Sequence, residues 1–184
     1  MSAIWRKMSN FVGDINKTFG MEYDNKEVRR QDRLFSEEEA RQLLRNGEYG
    51  VLSMVDGTNG EAVAYGVPVS YAWDGKDAVY IHCAKEGRKL RCLAGNAKVS
   101  FCVVGQTRVI PDKFTTAYQS IVLACWAATN LPEEERRKAL QMILDKYSSD
   151  YAEIGRKYAE HSFPRTEVIK LTIDKWSGKS KRVK

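Results

Sequence analysis

A chain of 184 residues with 43% hydrophobic and 29% charged side chains has the length and composition of one soluble globular domain with a sizeable core. Its net charge of +6 comes from 30 basic and 24 acidic residues, and the C-terminal GKSKRVK supplies four of the positive charges; the nearly balanced body argues against a dedicated nucleic-acid binder. No stretch approaches the roughly eighteen apolar residues of a transmembrane segment, and Ser120–Ala128, the best candidate, has the length of a buried strand.

Cys83, Cys92, Cys102 and Cys125 show no C-x-x-C spacing and lie in apolar surroundings, which predicts reduced core thiols in a cytoplasmic protein. His82 and His161 are the only histidines, so no metal is expected.

In chain order, Ile4, Met8, Phe11, Val12, Ile15 and Phe19 recur at helical spacing and predict an N-terminal amphipathic helix. Packing against the domain or a partner subunit is its expected use, with membrane-surface attachment as the alternative. Residues 1–27 are thus expected to be a helix and linker, and 28–184 the domain with a basic C-terminal tail. Ser36-Glu-Glu-Glu39 is a capping box that opens a helix ending at Asn46-Gly47. A hairpin follows, with strands at Tyr49–Val55 and Glu61–Gly66 around the turn residues Asp56-Gly57. Pro68 has no N–H to donate, which places it at an edge or kink and predicts that Val69–Trp73 leaves regular pairing.

Asp74-Gly75 turns the chain into a strand at Ala78–Cys83, with Val79, Ile81 and Cys83 on one face and Tyr80 and His82 on the other. A helix carrying Leu90, Leu93 and Ala94 ends at Gly95-Asn96. Strands are expected at Lys98–Val104, Tyr118–Ala128 and Thr166–Ile173, a loop at Gly105–Thr116, and helices at Glu133–Tyr147 and Tyr151–Glu160. Most neighbouring strands are joined by turns too short for parallel crossovers, so the fold class is mainly β, an antiparallel sheet or closed barrel with peripheral helices. Motifs of Rossmann, Walker or nucleophile-elbow type are absent.

The segment Ile81–Leu90 concentrates the chemistry. It runs from a strand into a helix start, whose exposed N–H groups and positive dipole end disfavour cations, yet Lys85, Arg88 and Lys89 crowd that end against Glu86 alone. A bound phosphate would resolve the conflict, and a solvated basic turn is the plainer alternative.

The order VRRQDR, a capped helix, EYGVLSMVD, VPVSYAWDG, YIHCAKEGRKL and YQSIVLACWA resembles the flavin-binding split-barrel family related to pyridoxamine 5′-phosphate oxidase, and within it the Nim-type branch of 5-nitroimidazole resistance proteins. The resemblance runs from about Arg29 to Arg182, and HCAKEGRK is its most specific element. It implies a homodimer of six-stranded antiparallel split barrels, with FMN in clefts at the subunit interface. Arg88 and Lys89 match the basic pair on the FMN phosphate, with Lys85 placed to add to it. Val69, Ser70 and Tyr71 match the strand along the isoalloxazine, His82 and Cys83 the strand end below the phosphate, and Ser120 a polar contact. The plainer readings are a core aromatic for Tyr71, packing for Cys83 and strand surface for Ser120.

His82 matches a histidine of the branch implicated near the flavin, which implies catalysis; tying the phosphate loop to its strand is the structural alternative. The implied activity is reduction of a small organic acceptor such as a nitro compound. A flavin- or haem-binding protein without turnover is the alternative. Two departures stand out: Gly105–Ser120 lacks the cysteine-rich segment of many relatives, and the C-terminus lacks the substrate-phosphate arginine and histidine set of true pyridoxamine phosphate oxidases. Vitamin B6 synthesis is therefore not expected.

Overall fold

The computed structural model describes residues 21–57 and 60–183, so the expected N-terminal helix lies outside the described residues. The strands are β1 (Glu22–Tyr23), β2 (Gly50–Asp56), β3 (Val63–Val69), β4 (Ala72–Trp73), β5 (Ala78–Ala84), β6 (Lys98–Ile110), β7 (Thr115–Ala128) and β8 (Thr166–Lys181). The helices are α1 (Glu37–Asn46), α2 (Arg88–Gly95), α3 (Glu133–Tyr147) and α4 (Ala152–Ser162).

One sheet contains all eight strands in the order β3-β2-β6-β7-β8-β5-β4, antiparallel throughout, with β1 added in parallel to β8. Six strands were expected. The two additional ones, β1 and β4, are two residues each, too short to impose any alternation on the sequence. The edge strands β3 and β4 are separated only by Ser70 and Tyr71, so the sheet must curl until its edges approach each other. This mainly β architecture with peripheral helices is compatible with a split barrel. Pro68 sits in β3, an edge strand, where its missing N–H breaks no central ladder.

Three expectations are corrected. Val69 stays paired with Gly50, and Ala72 and Trp73 pair with Tyr80 and Val79, so only Ser70 and Tyr71 leave the ladder. Gly105–Thr116 is not a loop but chiefly the arms of the β6–β7 hairpin, and β8 continues past Ile173 to Lys181, with Tyr118 opposite Lys181. Most of the basic tail is therefore ladder-paired strand.

Inward side chains of the sheet, including Leu52, Phe101, Leu123, Ile169 and Trp176, form the main core. A second cluster places Tyr80 and Val168 beneath Ala139 and Leu140 of α3, so the first half of β5 is buried on both faces. The capping box of α1 forms as expected, with Glu39 N–H donating to Ser36 Oγ at 3.3 Å, a contribution of about 1 kcal/mol. Among the described residues no helix is long and apolar enough to cross a membrane.

Candidate functional site

The alternation of β5 separates the two residues at its end. His82 is exposed on the outer face, whereas Cys83 is half-buried and packs against the main core. Partial desolvation, and then the Lys89 ammonium, hold the His82 pKa below its usual value, favouring the neutral imidazole. Burial raises the Cys83 pKa, which keeps it a thiol.

Beyond β5 the chain turns through Lys85-Glu86-Gly87 into α2. Gly87 adopts φ 140°, a conformation that side-chain-bearing residues rarely take, and as N-cap it offers no side-chain acceptor. No acidic residue lies in the first turn of α2, which opens with Arg88 and Lys89. The helix start thus keeps its positive potential and adds two cations to it.

Arg88 reaches back to the β2–β3 hairpin. Its Nε donates to Asp56 Oδ2 at 2.6 Å, and its guanidinium lies 4.1 Å from the Tyr65 ring centroid. The arginine is oriented by a largely buried carboxylate and an aromatic face, while its side chain remains 46% exposed. Asp56 reads in sequence as a turn residue and Tyr65 as an ordinary strand aromatic. No local pattern signals that they meet Arg88.

Ser70 is exposed at the seam between the sheet edges. Ala72 pairs with Tyr80 and Trp73 with Val79, and continuing that register would set Ser70 across from His82. Val69 is half-buried against the core, and Tyr71 is wholly buried with its hydroxyl donating to the Leu44 carbonyl at 2.7 Å. The main chain of Tyr71 is engaged as well: its N–H donates to Tyr147 Oη at 3.0 Å, and the same hydroxyl lies 2.9 Å from its carbonyl. The tyrosine side chain is therefore a core aromatic, and Val69 and Ser70 hold the seam position. Tyr147, at the end of α3, escapes sequence reading because its partners are 76 residues away.

Ser120 lies elsewhere. It pairs with Lys179 of β8, whereas His82 pairs with Val168, eleven residues earlier on the same strand. That is roughly 35 Å along the strand, so within one chain Ser120 and the turn do not converge. Ser120 instead belongs to the outer face of β6–β8, where Pro68, Val51, Cys102, Val122 and Ser177 form an uncharged row across five strands. Val104 and Val122 on this face are 46% and 45% exposed.

The profile described as pyridoxamine 5′-phosphate oxidase matches residues 36–180, a span that includes the seam, the cationic turn and Ser120. The chain belongs to the pyridoxamine 5′-phosphate oxidase family. No curated protein matches its sequence. Among solved structures, a candidate 5-nitroimidazole antibiotic resistance protein from Bacteroides thetaiotaomicron superposes with a TM-score of 0.67 at 19% identity, covering 80% of this chain and 86% of that one. An FAD- and haem-binding protein from Mycobacterium smegmatis gives 0.63 at 22%, covering 82% and 74%. An FAD-binding protein from Mesorhizobium loti gives 0.55 at 20%, covering 82% and 98%. Identities this low show a shared fold, and each ligand is that of the neighbour concerned. For this member of the oxidase family, the residues around α2 suit a phosphate-bearing group: backbone N–H groups without a side-chain cap, an oriented guanidinium and two ammonium groups.

Proposed function

We propose that the chain is an FMN-dependent oxidoreductase that works as a homodimer and reduces a small organic acceptor such as a nitro compound. The observation that carries this reading is the uncapped, cationic start of α2 beside His82. Lys85, Arg88 and Lys89 hold the FMN phosphate, with Arg88 aimed by Asp56 and Tyr65. The main chain at Val69 and Ser70 borders the isoalloxazine, and the buried Tyr71 anchors that stretch. Bound FMN would supply the redox chemistry, leaving binding, orientation and proton handling to the protein.

The uncharged row from Pro68 to Ser177, with Val104 and Val122 exposed beside Ser120, supports the dimer. A second copy seated there would bring its own turn toward Ser120, uniting in one cleft two elements that a single chain keeps apart. His82, neutral and exposed, is suited to donate an N–H to an accepting atom or to accept a proton.

An absorbance spectrum of the purified protein, before and after addition of FMN, tests the reading. Two flavin bands, bleached anaerobically by NADH or NADPH, are expected. A Soret band in their place would identify haem binding and overturn the proposal.

A further inference from the structure

The end of the sheet remote from the α2 turn carries a second concentration of positive charge. Three adjoining clefts of ≈ 630, ≈ 520 and ≈ 500 Å³ run from beneath α1 across β6 and β7 to the end of β8. The first two share Gln106, Thr107 and Gln119, and the last two share Lys181 and Arg182, so they form one continuous trough. Arg30, Arg33, Arg108, Lys181 and Arg182 line it against three carboxylates, Asp32, Glu39 and Glu48.

Asp32 and Glu39 are already committed, and Glu48 lines only the first cleft, which neither Arg108 nor Lys181 lines. Asp32 lies 2.5 Å from Arg30 and 3.8 Å from Arg33, while Glu39 pairs with Arg182 and accepts the Ser36 hydroxyl at 2.8 Å. Arg108 and Lys181 have no carboxylate within ion-pair distance among the described residues. Arg108 donates weakly to the Val183 carbonyl at 3.4 Å, and Lys181 to the Thr115 hydroxyl. The trough therefore keeps an excess of cations, although charge over the whole chain is nearly balanced outside its C-terminus.

Its floor is shaped by a bulge. The β6–β7 register shifts between Val104 and Thr107, which carries Gln106 out of the regular ladder. Gly105 lets Leu43 and Gln119 close over the bulge, since a Cβ there would come within 2.9 Å of Leu43 Cδ1 and 3.2 Å of Gln119. The amides of Gln106 and Gln119 thus lie beside the guanidinium and ammonium groups, giving neutral and charged donors in one groove.

We propose that this trough is a second anion site, which binds a small phosphate- or carboxylate-bearing molecule. Its assignment as a substrate site rests on the flavin reading above: Val104, which lines the first cleft, pairs directly with Ser120, so in the dimer the trough opens beside the cofactor cleft. The substrate class is then an anionic co-substrate, held by its charged groups at the end of β8.

The test is calorimetric titration of the flavin-free full chain with inorganic pyrophosphate at low salt, where exposed charges are least screened. Wild type, Arg108→Gln/Lys181→Gln and Arg88→Gln/Lys89→Gln are compared. Weakening by about tenfold or more in the trough variant, with its FMN uptake intact, is expected. Wild-type affinity in the trough variant, or loss confined to the Arg88/Lys89 variant, would overturn the proposal and leave the flavin reading standing. Weakened pyrophosphate binding in a protein that takes up no FMN would keep the anion site and remove the flavin reading. Arg108→Gln alone, on a hairpin arm, repeats the measurement if the double change unsettles β8.

Discussion

Tyr147 Oη accepts the main-chain N–H of Tyr71 at 3.0 Å, tying the end of α3 to the seam between the edge strands β3 and β4. The hydroxyl has one proton, and its shorter carbonyl contact is Glu48 O at 2.6 Å, with Tyr71 O at 2.9 Å. One side chain thus links α3, the segment before β2 and the short connection between the edge strands. Tyr147→Phe keeps the ring and removes all three contacts. Chemical denaturation should show a loss of about 1–2 kcal/mol with the fold retained. An unchanged midpoint would mean that water replaces the hydroxyl at no cost.

Lys146 beside it is a buried cation without a hydrogen bond. Its Nζ lies 3.7 Å from the Tyr71 ring centroid, and burial pulls its pKa down from 10.5 to about 8. The Tyr71 face offsets part of that penalty by about 1–2 kcal/mol. The unfolded chain holds this proton more tightly, so stability should rise with pH from about 8 toward 10, before tyrosine ionisation intervenes. Lys146→Met should flatten that rise and leave stability at pH 7 unchanged or higher. A steeper rise in the variant than in wild type would contradict this assignment.

For His82 the sign runs the other way on ligand binding. Desolvation and Lys89 lower its pKa in the free protein, whereas a phosphate dianion at the same turn would favour the imidazolium. NMR titration should therefore place the His82 pKa below 6.5 without FMN and higher with it. No rise on saturation with FMN would locate the phosphate away from this strand end.

The dimer proposal is tested at Val122, in the middle of the uncharged outer row and 45% exposed. Val122→Glu places an unpaired charge where the second copy would sit, and light scattering should report monomer at concentrations where wild type is dimeric. Flavin content should fall with it, because Ser120 would lose its partner turn. A monomeric wild type that still retains FMN would remove the intersubunit cleft.

The six long strands were legible because their inward residues alternate, and α1 because its capping box is local. The arms of β6 and β7 were not: the bulge at Gly105 and Gln106 breaks the alternation, and the exposed Thr107–Val109 resembles a loop. The end of β8 failed for a related reason, since GKSK contains no apolar residue although its backbone is paired with β7. At the candidate site, charge pattern alone picked out Lys85, Arg88 and Lys89. The partners Asp56 and Tyr65 remained hidden because they reach Arg88 only through the packing of α2 against the β2–β3 hairpin, 32 residues from Asp56 in the chain.

Flavin binding by Arg88→Ala/Lys89→Ala reads out directly whether the start of α2 holds the FMN phosphate. Two charge-assisted contacts are removed, so FMN affinity should fall by about 100-fold or more while circular dichroism remains that of the folded protein. Stoichiometric FMN retained by the folded variant at wild-type affinity would place the phosphate elsewhere in the protein.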